Sequence, residues 1–388
     1  MKIRSAVLAK TGLPAPYAKS KPISIEELEL GEPGNGEVRV RMVAAGLCHS
    51  DLSVVNGSRD RPVPIALGHE ACGIVEALGP YVRGLAVGDL VALVFVPSCN
   101  SCIPCLEGRP ALCEPGAKAN ADGTLLSGAR HLYGLNGQFM GKPISHQAGV
   151  SSFATHAVVS QQSCVKISES QRERMNDDAL AAVFGCAVIT GVGAIVNTAQ
   201  VRMGASVGIV GLGGVGMCAL LGALAAGARE VIAIDIHQSK LDLALSLGAT
   251  AAFNANDPDL IAKVKDRTGG KAWGGVDYGF EFAGEMQAME AAYRITRRGG
   301  TTTSSSLMSP KLNWGLQHLN MVAEERTIKG SYLGSCVPAR DIPRYIDLYL
   351  QGKLAVNKLM GERIALDDIN EGFDKLATGE SKRDLIVF

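Results

Sequence analysis

The 388-residue sequence predicts an α/β protein of two domains, one mostly β and one built on a doubly wound parallel sheet. Three observations carry this expectation. The chain is too long for one ordinary hydrophobic core. Its first third alternates apolar and polar residues in short runs between Gly/Pro turns. Near its middle, an apolar strand passes through a glycine-spaced turn into an Ala/Leu helix and then a second apolar strand. Composition agrees, because 47% of residues are hydrophobic and 46 glycines suit tight turns. Formal net charge is zero with no basic block, which argues against nucleic acid or an anionic membrane as partner. The N-terminal MKIRSAVLAK has no apolar signal region, so a cytoplasmic, reducing location is expected. In that setting the ten cysteines read as metal ligands and buried thiols rather than disulfides.

Taken in order, AVLAK, ISIEELEL and EVRVRMVAA predict strands within residues 1–44, and GIVEALG and DLVALVF continue the texture. AGLCHSDL and LGHEACGIVE place Cys48 and His69 at the ends of two extended segments, with Ser50, Asp51 and Glu70 beside them. Thiolate and imidazole are ligand types that zinc prefers, and an open site needs only one more. Alone, the pair reads equally well as two buried residues. CNSCIPCLEGRPALC follows, with Cys99, Cys102, Cys105 and Cys113. Four thiolates this close enclose one tetrahedral zinc, a closed and therefore structural site. An iron–sulfur cluster is the rival, with incidental free thiols as the remaining reading. The ferredoxin run places three residues between its third and fourth Cys and Pro next. Here seven intervene and Glu114 follows, which favours zinc. Residues 114–150 predict a long Gly-rich loop in which His131 and His146 receive no role, before FATHAVVS and CVKI resume strands.

NDDALAAVFGCAVITGVGAIVNTA has helical spacing behind an acidic first turn and sets Cys186 among glycines, as core filler or as the third ligand. From Ala205 the chain reads G-x-G-x-x-G at Gly211, Gly213 and Gly216, in a strand–turn–helix–strand setting. The first glycine makes the turn, the second admits a pyrophosphate, and the third lets helix and strand pack closely. The helix N-terminus offers unpaired N–H groups to phosphate oxygens. Asp235 follows about twenty residues on, where a carboxylate accepts from ribose hydroxyls and repels a 2′-phosphate, favouring NAD over NADP. The uncharged run Ala205 to Ala228 is long enough to suggest a membrane span. Its regular glycines fit a buried strand turning into a buried helix better. LDLALSLGATAAF, VDYGFEFAG and GGTTTSSSL extend the parallel sheet. The polar run Thr301 to Ser306 has no evident reason in a buried strand. RTIKGSYLG predicts a strand, IPRYIDLYLQG an amphipathic helix, and the tail a helix and strand that return to the first domain.

Together GLCHSD, GHEACGIVE, the four-Cys lobe, FGCAVITG, GLGGVG, the Asp235 strand and GFDKLATGESKRDLIVF resemble the zinc-containing medium-chain alcohol dehydrogenases over nearly the whole chain. The resemblance implies a GroES-like catalytic domain from residues 1–187 and 333–388, with a structural zinc lobe near 95–115. It implies a Rossmann NAD-binding domain at 188–332 and an active site between the two. Cys48, His69 and Cys186 are then ligands of a catalytic zinc, and Cys99, Cys102, Cys105 and Cys113 those of a structural zinc, giving two ions per chain. By the same likeness Asp51 orients His69, Glu70 stands behind the metal and Ser50 takes the alcohol proton. His49, Thr190, Lys240 and Arg383 are implied cofactor contacts, together with Gly211, Gly213, Gly214, Gly216 and Asp235. Phe95 is an implied wall of the substrate pocket. The implied reaction is reversible hydride transfer between a small-molecule alcohol or aldehyde and NAD, by a homodimer.

Two departures matter. Many members end the proton relay with a His where this chain has Ser53, so proton exit falls to another base. The long loop after Cys113 resembles that of the dimeric, glutathione-formaldehyde-like branch. Yet Ala117 and Arg59 stand where that branch has a basic and an acidic residue. This argues against S-hydroxymethylglutathione and for a primary alcohol with a bulky or aromatic body. A polyol or formaldehyde-processing dehydrogenase is the runner-up. A non-catalytic zinc- and nucleotide-binding scaffold is the alternative of another class, and the intact Cys48, His69, Cys186 and Ser50 tell against it.

Overall fold

Side chains that alternate across a pleat segregate apolar from polar faces, and the first residues do so in the strands Lys2–Leu8, Ile23–Leu30 and Glu37–Gly46. In the computed structural model, which describes residues 1–270 and 273–388, the chain divides into two units. The first comprises Met1–Cys186, Val337–Leu350 and Leu359–Phe388; the second comprises Ala187–Cys336 and Gln351–Lys358.

In the first unit, Lys2–Leu8, Ile23–Leu30, Leu132–Gly134, Pro143–His146 and Ile65–Ala66 close a small barrel. Glu37–Gly46 lies at the centre of a seven-stranded sheet, paired antiparallel with Ala71–Leu78, His156–Ser160 and the last strand, Arg383–Val387. Val38, Val40, Met42 and Phe153 share one core with Phe373 from the C-terminal helix Ile369–Thr378. Phe153 and Phe373 meet edge to face with centroids 6.2 Å apart, a preferred aromatic geometry.

Two expectations need correcting here. Residues 114–150 are not a bare loop. They form the helix Glu114–Asp122, whose first turn donates Gly116 N–H to the Cys113 sulfur, and two of the barrel strands. Those strands span three and four residues, too few for an alternation to register. Nor is 178–199 one helix. A 3₁₀ segment, Asp178–Gly185, ends at Cys186, whose backbone leaves the helical region at φ −137°, ψ −73°. The α-helix Ala187–Gly193 and a π-turn, Ala194–Ala199, follow.

The second unit carries a six-stranded parallel sheet in the order Ala251–Asn254, Glu230–Asp235, Ser206–Val210, Val276–Glu281, Thr296–Ser304, Thr327–Gly330. In sequence order this is 3-2-1-4-5-6, the doubly wound Rossmann arrangement. The uncharged run splits into the strand Ser206–Val210 and the helix Gly214–Ala225. Among the described residues no single helix is long and apolar enough to cross a membrane. The polar run also acquires a reason. Thr302 Oγ1 donates to Thr296 Oγ1 at 3.1 Å, while Ser304 and Ser306 donate to the fully buried Glu281 carboxylate at 2.7 and 3.0 Å. A carboxylate removed from water needs such donors, and the serines supply them.

Candidate metal centres and nucleotide turn

Cys48 leaves the strand Glu37–Gly46 in an extended conformation and becomes the cap residue of the helix His49–Val55. His69 sits just before Ala71–Leu78, which pairs with that strand. Cys186 stands at the break after the 3₁₀ segment. All three are buried, and their ligand atoms lie within 4.8 Å of one another. Tetrahedral zinc with Zn–S of ~2.3 Å and Zn–N of ~2.05 Å separates an S and an N ligand by about 3.6 Å. Cys186 Sγ and His69 Nε2 are 3.5 Å apart. The donor set therefore fits a Cys₂His zinc with one coordination position left open.

The surroundings fix the ligands. Asp51, fully buried, lies with an oxygen 3.0 Å from His69 Nδ1 and accepts the Gly68 N–H at 3.2 Å. That pairing turns Nε2 toward the two sulfurs. Burial raises the Asp51 pKa, with His69 pulling the other way. Burial works against a charged His69, but the Asp51 and Cys48 charges outweigh it and hold its pKa well above the ordinary value. Cys186 shares its proton with Cys48, which holds Cys48 well below the usual thiol value and Cys186 well above it. Behind them, burial pushes the Glu70 carboxyl up to about 7, opposed by the Arg383 guanidinium. Arg383 pairs with Glu70 Oε2 at 2.6 Å and donates to the Leu47 carbonyl at 3.0 Å. The Phe95 ring stands edge-on to the His69 imidazole, 5.5 Å between centroids. His49 is exposed and Ser50 half-buried in the first turn of their helix, and Ser53 donates its hydroxyl to the His49 carbonyl at 2.8 Å.

Cys99, Cys102, Cys105 and Cys113 also bring their sulfurs within 4.8 Å of one another. Backbone N–H groups point at the sulfurs: Cys102 and Ser101 to Cys99, Cys99 and Gly116 to Cys113. Such donors stabilise thiolates, and with them the Cys99 thiol falls to about 6, its largest aid coming from the Ser101 hydroxyl. The set fits a closed tetrahedral zinc.

In the second unit Gly211 turns the chain at φ +93°, where an added Cβ would lie 2.5 Å from the Ala283 nitrogen. At Gly216 a Cβ would meet the Gly211 carbonyl at 1.9 Å, while Gly213 is open and Gly214 begins the helix. Asp235 ties the turn to the second strand, accepting from Leu212 N–H at 2.7 Å and His237 N–H at 2.9 Å. Lys240 is half-buried on the helix Gln238–Ser246. Thr190 is buried, and its hydroxyl has no hydrogen-bond partner among the described residues.

Residues 34–169 match the alcohol dehydrogenase GroES-like domain and residues 214–351 the zinc-binding dehydrogenase domain. A Mycobacterium tuberculosis protein provisionally named alcohol dehydrogenase D is 36% identical over the full length of both chains. The chain belongs to the zinc-containing medium-chain alcohol dehydrogenase family. Among solved structures, an alcohol dehydrogenase zinc-binding domain protein from Burkholderia ambifaria is 32% identical with a TM-score of 0.90. It covers 100% of this chain and 99% of that one. Benzyl alcohol dehydrogenase from Acinetobacter calcoaceticus is 30% identical with a TM-score of 0.89 and the same coverage. This alcohol dehydrogenase therefore uses zinc and a nucleotide cofactor. Sequence reasoning overlooked the steric role of two of its glycines. An added Cβ would meet the Leu93 carbonyl at 1.9 Å from Gly185, and Glu70 Oε1 at 2.3 Å from Gly46.

Proposed function

We propose that this alcohol dehydrogenase is NAD-dependent, holds two zinc ions per chain, and interconverts a bulky or aromatic primary alcohol with its aldehyde as a cytoplasmic homodimer. The convergence of Cys48, His69 and Cys186 on one point carries the reading. Cys48, His69 and Cys186 would hold the metal, while Asp51 keeps the His69 ring in register. When bound, zinc supplies Lewis acidity that makes an alcohol acidic near neutral pH, and the nicotinamide accepts the hydride. Ser50 takes the alcohol proton at Oγ. With no imidazole at position 53, and the Ser53 hydroxyl turned to the His49 carbonyl, position 53 supplies no base to take the proton on from Ser50. Asp235 supports NAD over NADP, since its carboxylate would face a 2′-phosphate. The aromatic edge of Phe95 beside His69 and the benzyl alcohol dehydrogenase relative support an aromatic substrate.

The test is a screen of NAD reduction across aliphatic, benzylic and polyol alcohols. Benzylic alcohols are expected to give the highest kcat/KM. A chain that oxidises only polyols or formaldehyde adducts would overturn the substrate class. Metal analysis should return two zinc ions per chain. A single zinc with no turnover would point to a scaffold. Asp235→Ser should narrow the NAD/NADP preference by about tenfold, the size of a ~1.4 kcal/mol contact.

A further inference from the structure

Asparagine is chemically labile, most of all before glycine, whose nitrogen no Cβ shields. The chain carries Asn-Gly at Asn35–Gly36, Asn56–Gly57 and Asn136–Gly137, and all three asparagines are exposed. As dipeptides they are equivalent. The fold makes them different. The Gly36 N–H donates to the Pro80 carbonyl at 2.7 Å, and the Gly36 carbonyl accepts the Gln161 N–H at 2.9 Å. The Gly57 N–H donates to the Val54 carbonyl at 3.2 Å, while Asn56 Oδ1 accepts the Ser58 N–H at 2.9 Å. At both places the attacking nitrogen is engaged and its backbone is held. Gly137 is the first residue of the 3₁₀ turn Gly137–Phe139, and its N–H has no acceptor among the described residues. Gly137 is exposed at φ +57°, with no atom within 4 Å of an added Cβ. The Asn136 side chain does not cap the turn. Its amide reaches the exposed Glu27 carboxylate at 3.4 Å, long for a hydrogen bond.

We propose that Asn136 is a modification site, the place at which the folded chain deamidates with water as the only co-reactant. The Gly137 nitrogen attacks Asn136 Cγ. A new N–C bond forms, the Cγ–Nδ2 bond breaks, and ammonia leaves with the proton that Gly137 carried. Water then opens the resulting succinimide. Cleavage of the new bond at Cγ gives Asp; cleavage at the original main-chain carbonyl gives isoaspartate, with Gly137 joined through the former side chain. The isoaspartyl form matters for the barrel. Residues 135–138 connect the strand Leu132–Gly134 to Phe139, which packs in the barrel core with Leu28 and Ile144. The two ends of that connection are already in close contact, since an added Cβ on Gly134 would lie 2.1 Å from the Phe139 carbonyl. Isoaspartate lengthens the connection by one main-chain atom and sets a new carboxylate beside Glu27.

Ageing the intact protein in mildly alkaline buffer, beside the same chain unfolded in urea, tests this by peptide mapping over time. In urea the three Asn-Gly sites should deamidate at similar rates. In the folded protein Asn136 should react about tenfold faster than Asn35 or Asn56, the factor that one ~1.4 kcal/mol hydrogen bond supplies. Its products should be Asp and isoaspartate, seen as a more acidic form on ion exchange. Asn136→Gln should abolish that form. Native rates at Asn35 or Asn56 that match the rate at Asn136 would overturn the proposal. So would an Asn136 that reacts in urea and stays intact in the folded chain.

Discussion

Position 185 tolerates no side chain. A methyl group there would collide with the Leu93 carbonyl, part of a strand paired on both sides that cannot give way. Gly185→Ala should push the Asp178–Gly185 segment off the sheet and draw Cys186 away from His69. Zinc analysis should show the second ion lost, and thermal unfolding a destabilisation of about 1–3 kcal/mol, typical of overpacking. Cys48→Ala makes the complementary prediction. Turnover should vanish while NADH affinity, measured by fluorescence, stays near wild type, because the glycine turn belongs to the other unit. Loss of NADH binding in that variant would refute the separation of roles. The ligands were legible in the sequence because their chemistry resides in the side-chain type. Gly185 and Gly46 were not, because their meaning depends on Leu93 and Glu70, residues far away along the chain.

The four-Cys lobe has almost no apolar interior. Its short helices Ile103–Leu106 and Pro110–Leu112 leave Ile103 69% and Leu106 73% exposed. Without burial to offset chain entropy, the bound ion must provide what a core would. Cys105→Ser, or chelation under mild conditions, should leave 99–113 open to rapid proteolysis, while NADH binding persists. Unchanged protease resistance after verified loss of that zinc would contradict this. The spacing of these cysteines was readable because closing four ligands on one ion restricts how they are placed in the chain. The helix Glu114–Asp122 beside them was hidden by Pro and Gly, and the break at Cys186 by an apolar periodicity that runs unbroken across it.

Acid should destabilise the whole molecule through a residue distant from chemistry. His146 is fully buried and neutral, its Nδ1 3.1 Å from the Ser151 hydroxyl and its Nε2 accepting the His131 N–H at 3.4 Å. Burial pushes its pKa down to about 3 from an ordinary 6.5. The unfolded chain therefore takes up a proton as pH falls below about 6.5, while the folded chain does not until about 3. Stability drops across that window by up to about 1.4 kcal/mol per pH unit from this group alone. In urea titrations between pH 5 and 8, His146→Asn should flatten the dependence by up to one proton, whatever its cost at pH 8. An unaltered slope would mean that His146 charges in the native state. At this scale the sequence announced the two-domain plan and the parallel sheet. It left open how the chain end closes the first unit.

That closure makes the first unit depend on segments far apart in the chain. Arg383–Val387 pairs with Glu37–Gly46, Asp384 supplies the carbonyl for the Leu47 N–H, and Arg383 is the counter-ion of Glu70. Arg383 stands 313 positions after Glu70. The sheet of the first unit is thus completed by a segment that follows the second unit's sheet in the chain. A chain cut just before Arg383 would leave Glu70 buried without its counter-ion and the Glu37–Gly46 strand without one of its partners.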